Sequence, residues 1–129
     1  MATITIYVKS NGKTPPGLIL RDSEGHTPGN DDLTTAVDPG DKVEWKLETD
    51  SKLQSIEHIQ YYTERKNNEN ESPILVRGSG VFKNNKHSFT ADIISKSPGK
   101  DSVEYYRIGF KIPGDTAVYW DDPKLKMNI

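Results

Sequence analysis

The chain has 129 residues, no cysteine, and 17 basic against 19 acidic residues, which gives a formal net charge of −2. The lack of cysteine excludes disulfides, thiolate metal sites and cysteine nucleophiles. A pI near 5.9 with scattered basic residues argues against nucleic-acid binding, and no apolar stretch is long enough to span a bilayer. We therefore expect a single domain over residues 1–129, cytoplasmic, with no nucleic-acid or membrane partner.

Alternation of apolar and polar residues is the dominant pattern along the chain, and it predicts strands. The N-terminal strand carries Ile4, Ile6 and Val8 on one face, and the same alternation places Trp45 on a buried face. No segment keeps a helical period over three turns. In chain order, the pattern predicts strands at residues 3–9, 18–20, 33–37, 42–48, 88–93, 103–112, 118–120 and 125–129.

Tight turns and polar loops separate these strands. Residues 22–32 and 64–72 are rich in polar residues and predict long loops. The segment 53–62 is open between a helical turn and a β-bulge, because Ile56 and Ile59 are three residues apart. Many short strands joined by turns predict an all-β fold, a single two-sheet antiparallel β-sandwich. Five of the eight prolines precede glycine, as type II turns require, at Pro16-Gly17, Pro28-Gly29, Pro39-Gly40, Pro98-Gly99 and Pro113-Gly114.

Two segments carry a family resemblance. The run from Val37 to Trp45 (VDPGDKVEW), followed by a polar stretch and then His58, resembles the cupredoxin-like pattern, in which such a strand leads to the first copper-binding histidine. The run from Tyr105 to Phe110 (YYRIGF) is similar to the penultimate strand of that family. The resemblance implies a cupredoxin-like or immunoglobulin-like topology and places His58 near the loop 113–116.

The chain departs from the cupredoxin-like pattern at the copper ligands. A blue-copper site needs a cysteine thiolate and two histidines, and this chain has no cysteine and no histidine after the penultimate strand. The gap from Trp45 to His58 is also longer than is usual in the family. We therefore expect no cofactor and no electron transfer. The chain also resembles small bacterial proteins that end on an Asp-Pro-Lys-hydrophobic strand, here residues 122–125, and that resemblance implies no particular activity.

Candidate metal ligands do not form a recognised motif. The histidines His26, His58 and His87 are not spaced as a ligand pair, and we expect His26 and His87 to be solvated side chains. The acidic pairs 31–32, 38 with 41, and 121–122 match no EF-hand loop, and aspartates 38 and 41 bracket a turn where they bind local backbone. The alternative function, a metal-handling protein for copper or calcium, uses His58 with loop carboxylates.

A catalytic function has less support. The chain has no Gly-x-Ser-x-Gly nucleophile elbow, and the segment Gly78-Ser79-Gly80 is typical of a bulge or hinge. A pair of carboxylates for hydrolysis needs only proximity in space, so a small hydrolase stays the third hypothesis.

Aromatic doublets give the best candidate binding surface. Adjacent strand residues face opposite ways, so we predict that Trp120 packs inward and that Tyr119 points outward beside Asp121 and Asp122. Pro123 has no amide hydrogen to donate, so it marks an edge strand or a bulge. The alternative is that the Asp-Asp-Pro sequence at residues 121–123 only protects an edge strand from aggregation. We expect a non-catalytic binding or assembly module that binds a protein or carbohydrate ligand, or a second copy of itself, through residues 119–122 and His58.

Overall fold

Ten strands form two sheets in the computed structural model, which describes residues 2–27, 33–61 and 73–129. The spatial order of the first sheet is β2 (Leu18–Asp22), β1 (Thr3–Ser10), β4 (Lys42–Leu47), β7 (Ser88–Asp92) and β6 (Val81–Lys83). That of the second sheet is β3 (Thr34–Val37), β10 (Lys124–Met127), β8 (Val103–Lys111) and β5 (Ser55–Tyr61), with β9 (Tyr119–Asp121) paired to β8.

The all-β sandwich is confirmed, and its sheets are mixed rather than purely antiparallel. Strand β1 runs parallel to β4, and β10 runs parallel to β3, while the other pairs are antiparallel. In each parallel pair the chain enters the other sheet between the first strand and the second, so the two strands are not joined by a hairpin and can run in the same direction. The predicted loop 64–72, the pair Asp31-Asp32 and the Pro28-Gly29 turn lie outside the described residues. Within the described ranges, no helix is long and apolar enough to cross a membrane.

Trp45 occupies the centre of the core between the sheets, as the alternation predicts. Its side chain is 0% exposed, and its ring contacts Phe89 of the same sheet at 5.9 Å between centroids. Across the interface it meets the ring of Tyr106 on β8 at 5.4 Å, and its Nε1–H donates a 3.0 Å hydrogen bond to the Tyr106 hydroxyl. One side-chain pair therefore joins the central strands of the two sheets by both packing and a hydrogen bond.

A β-bulge in β5 resolves the ambiguous segment. The pairing of β5 with β8 shifts between Ile56 and His58, so one extra residue is inserted there. The shift lets Ile56 and Ile59 both pack on the core although they are three residues apart. It also turns His58 to the outer side of the second sheet, where it is exposed.

The two sheets are also tied together at their margins. The Asp121 carboxylate of β9 accepts a 2.5 Å hydrogen bond from the Leu18 amide of β2. At another margin, the Ile56 amide donates to the Lys86 carbonyl at 2.8 Å, in a turn whose residues 84–86 all have positive φ. The left-handed backbone of this turn, which favours asparagine, is thus held by its contact with β5.

Replacing Trp45 by alanine tests this description of the core. We expect Trp45→Ala to lower the free energy of unfolding by about 3–5 kcal/mol, because it removes a fully buried ring and leaves a cavity. Trp45→Phe keeps an aromatic ring and loses the hydrogen bond, so it should cost less. Urea unfolding followed by circular dichroism measures both, and a cost below about 1 kcal/mol for the alanine variant would place Trp45 outside the core.

The alkaline stability of the protein should depend on Tyr106. Burial is the main reason that the pKa of Tyr106 lies far above its ordinary value of 10.0. Above pH 10.0 the unfolded chain gains stability by ionising this phenol while the native state keeps it neutral, so stability falls as pH rises. Tyr106→Phe removes this contribution. Urea unfolding at neutral pH and in steps above pH 10.0 should show a shallower decline for Tyr106→Phe, and equal declines would contradict the assignment.

Candidate functional site

A cluster of aromatic and polar side chains lies on the outer side of the second sheet. Residues directly opposite each other in an antiparallel pair share one face of the sheet. Gly109 in β8 lies opposite His58 in β5 on one side and opposite Trp120 in β9 on the other. Two residues along β8, Arg107 lies opposite Gln60. We call the resulting surface the outer face and define it by His58, Gln60, Tyr105, Arg107, Gly109 and Trp120.

Trp120 is the centre of the outer face. The His58 imidazole stacks on its indole at 5.3 Å between centroids with an interplanar angle of 18°. The Arg107 guanidinium carbon lies 3.7 Å from the ring centroid, a cation–π contact. Arg107 also donates from Nε and Nη2 to the Gln60 side-chain oxygen at 3.4 and 3.3 Å. The arrangement therefore holds two side chains with nitrogen donors against one half-buried indole.

Gly109 is the position that allows this stacking. A Cβ atom there would lie 2.8 Å from Cζ3 of Trp120, closer than real Cβ atoms come, and 3.1 Å from Cδ2 of His58, which is a tight contact. A glycine inside a strand often marks such a close approach. Glycine at position 109 therefore lets the indole of Trp120 and the imidazole of His58 meet above β8.

The predicted orientation of the Tyr119–Trp120 doublet is wrong. Tyr119 lies opposite Phe110, which is fully buried, and the two rings approach to 6.1 Å on the core side. Trp120 therefore faces outward. The error arose because β9 has only three residues, so its own alternation could not show which side meets the core.

Tyr119 and Asp121 have structural contacts. The Tyr119 hydroxyl donates a 2.6 Å hydrogen bond to Asp115, which lowers the pKa of Asp115 and raises the pKa of Tyr119. Asp121 binds the Leu18 amide of the first sheet. Asp122 is exposed at the junction of β9 and β10. Of the five predicted binding residues, the structure thus brings Trp120 and His58 together on the outer face.

One group of three potential metal ligands occurs among the described residues, and it does not include His58. Asp22, Glu24 and His26 place ligand atoms within 4.8 Å of one another. Asp22 is already saturated, because its carboxylate accepts from the amides of residues 24 and 26, from His26 Nδ1 at 2.8 Å and from the Thr35 hydroxyl at 2.8 Å. These bonds close a turn. The His26 side chain is half exposed and its ring is held by the Asp22 carboxylate, so it is not the freely solvated side chain that the sequence predicts.

Glu24 completes this turn by reaching the edge of the second sheet. Its Oε1 accepts a 3.0 Å hydrogen bond from the amide of Ala36 in β3. Burial is the main reason that the pKa of Glu24 is raised. The group therefore joins β2 to β3 and offers few free ligand positions. Metal handling through His58 stays a prediction from the sequence.

Glu104 is a buried carboxylate that the sequence analysis missed. It is 0% exposed, and its Oε1 accepts hydrogen bonds from the amides of Ile74 and Leu75 at 2.8 and 2.9 Å. It also lines a cleft of about 260 Å³ between the edges of β5 and β6. Alternation along β8 was the available signal, because it puts Glu104 on the same side as Tyr106. Through these contacts Glu104 anchors the segment around Ile74 and Leu75 to β8.

Gln60, Tyr105 and Arg107 were also missed as candidates for the site. Tyr105 is 52% exposed and precedes Arg107 by two positions on the outer side of β8. The available signal was that Tyr105, Arg107 and Gly109 alternate with the inward-facing Tyr106, Ile108 and Phe110. The loop 113–116, which the family resemblance places near His58, joins β8 to β9, the two strands that carry Gly109 and Trp120.

Comparison of the chain with known protein families finds no matching family, and comparison with curated protein sequences finds no match either. The cupredoxin-like resemblance therefore stays an expectation, and the site has to be interpreted from its geometry alone.

Substitution of Gly109 tests whether the indole lies over β8. We expect Gly109→Ala to destabilise the protein by about 1–3 kcal/mol, because the new methyl group overlaps Trp120. In a Trp120→Ala background the same substitution should cost clearly less, since the ring is gone. Urea unfolding of the four proteins gives a double-mutant cycle, and a coupling energy near zero would contradict the described contact.

Proposed function

We propose that the chain is a non-catalytic binding module, that its ligand is a carbohydrate, and that the outer face is its binding surface. The observation that carries the proposal is the contact of His58 and Arg107 with one outward indole above a glycine. A core contact would bury these groups, yet His58 is exposed and Trp120 is half-buried at the surface.

The chemistry of the outer face suits a sugar. Sugar rings present C–H groups on their flat sides, and these are attracted to the negative face of an aromatic ring. Their hydroxyl groups need donors and acceptors around that ring, which Gln60, Arg107 and His58 provide. Tyr105 adds a second, more exposed ring on the same side of β8.

The spacing of the two rings favours an oligosaccharide over a single sugar. Tyr105 and Gly109 are four residues apart in one strand, which separates Tyr105 from the Trp120 stack by about 13 Å along the sheet. Both rings stand on hydrogen-bonded strands, so the surface is organised before the ligand binds and loses little entropy on binding.

Binding to polysaccharides tests the proposal. We expect the parent protein to be retarded in native gels that contain at least one soluble polysaccharide of a broad panel. Tyr105→Ala and Trp120→Ala should each weaken this binding by about tenfold or more, because each removes one of the two rings. The dissociation constant is then measured by calorimetry with the polysaccharide that retards the parent most.

A matched control exists on the first sheet. Tyr7 also points outward and has the guanidinium of Arg21 at 4.1 Å from its ring. Tyr7→Ala removes a similar cation–π pair from the opposite surface, so it should leave binding unchanged. Retardation of the parent by no polysaccharide would refute the proposal, as would equal losses in all three variants. Association of the parent into dimers that the Trp120→Ala variant lacks would favour an assembly function instead.

A further inference from the structure

A buried carboxylate holds one ring nitrogen of His26 at the margin between the two sheets. The side chain of Asp22, the last residue of β2, is 0% exposed, whereas the His26 side chain is 49% exposed. The carboxylate accepts a 2.8 Å hydrogen bond from Nδ1 of His26. Because a carboxylate can only accept, Nδ1 carries the proton, and the lone pair of the neutral ring lies on Nε2.

Nε2 belongs to the exposed part of the His26 ring. In the part of the chain that the structure describes, the hydrogen bonds of the ring are those from Nδ1 to Asp22. The imidazole lines a surface cleft of about 670 Å³ together with Thr34 of β3 and Lys126 of β10. A small molecule in this cleft therefore has room to reach Nε2.

Asp22 is fixed in place by groups that donate to it. The amides of Glu24 and His26 donate to its Oδ1 at 3.0 Å each, and the Thr35 hydroxyl of β3 donates to its Oδ2 at 2.8 Å. Glu24 brings a second carboxylate, whose Oε1 lies 4.0 Å from Nδ1 of His26. The ring thus has two carboxylates on its Nδ1 side, and the nearer one is fully buried.

This arrangement favours attack by Nε2 on an electrophile. When the Nε2 lone pair forms a bond, positive charge develops over the whole imidazole ring. A fixed carboxylate beside Nδ1 stabilises that charge without having to reorganise. The aspartate of a Ser-His-Asp triad stabilises an imidazolium in the same way.

The other two of the three histidines are placed differently. His58 is exposed but stacks on Trp120, which covers one side of its ring. His87 is exposed in the turn that precedes β7. Over residues 2–27, 33–61 and 73–129, the carboxylate oxygens within 4.0 Å of a histidine ring nitrogen are those beside His26.

We propose that His26 is an acyl acceptor, whose Nε2 is modified by activated acyl donors, molecules in which a carbonyl carbon carries a good leaving group. Asp22 is the positioning residue that fixes the ring and stabilises its charge. The inference goes beyond the binding function of the outer face and does not depend on it, because the site lies at the margin where β2 approaches β3.

The reaction is a nucleophilic substitution at the carbonyl carbon. Nε2 forms a bond to that carbon, the bond from the carbon to the leaving group breaks, and the leaving group departs with the electron pair. The resulting acylimidazolium loses its Nδ1 proton to water, so the product is a neutral N-acylhistidine. Neither an oxidant nor a metal ion takes part in these steps.

Diethyl pyrocarbonate is the probe, because it transfers an ethoxycarbonyl group to imidazole and releases ethanol and carbon dioxide. Mass spectrometry of peptides gives the rate at each histidine of the native protein, and N-acetylhistidine amide is the reference compound. A mildly alkaline pH keeps an unperturbed imidazole neutral, so protonation does not limit the reference rate. We expect His26 to react about tenfold faster than the reference, and His58 and His87 to react no faster than it.

The comparison with the reference compound decides the proposal on the parent protein alone. Exposure of a side chain cannot raise its rate above that of a small molecule that is fully accessible. A rate at His26 equal to or below that of the reference therefore overturns the proposal. An equal excess at all three histidines also overturns it, since the excess then does not come from Asp22.

Two variants separate the charge of Asp22 from its part in the turn. Asp22→Asn removes the charge, whereas Thr35→Val removes one hydrogen bond of the same network and keeps the charge. We expect Asp22→Asn to lower the rate at His26 to that of the reference or below, while Thr35→Val keeps most of the excess. Equal losses in both variants overturn the stabilisation by charge. Circular dichroism checks that both variants fold, and the rate at His58 is the control in each sample.

Discussion

The contact between Trp45 and Tyr106 across the two sheets determines much of the rest of the structure. The Trp45 indole N–H donates to the Tyr106 hydroxyl at 3.0 Å with both side chains fully buried. A buried N–H and a buried hydroxyl each need a partner, so the pairing of these two groups fixes which side of β8 meets the core. Once Tyr106 faces inward, Arg107 and Gly109 must face outward, because side chains alternate along a strand.

The outer face follows from that orientation with the help of two local irregularities. The bulge between Ile56 and His58 lets β5 keep its apolar residues on the core and still turn His58 outward. Gly109 then leaves the space in which His58 and Trp120 meet. The bulge serves the core as well, because it lets Ile56 and Ile59 both pack inward. Gly109 adds no side chain to the core, and a glycine inside a strand is typical of a close approach between groups.

The fold class could be predicted from the sequence because its signals are local. Alternation around Trp45 and the proline-glycine turns depend on neighbouring residues, and the buried tryptophan and all-β architecture are confirmed. Asp41 shows a limit of the same reasoning. Its place in the turn predicts a contact with local backbone, and its carboxylate accepts from the Asp38 amide. It is also buried and accepts from the amide of Ala2, which is distant in sequence and which no local pattern connects to it.

The candidate site was harder to predict because its geometry is non-local. Strand β9 is too short to carry a period of its own, so the side on which Trp120 lies depends on which residue of β8 faces it. Asp121 could not be recognised as structural, since its partner Leu18 is distant in sequence. His58 was singled out, and its neighbour Arg107 was not, because nothing local connects two residues that meet only through the pairing of β5, β8 and β9.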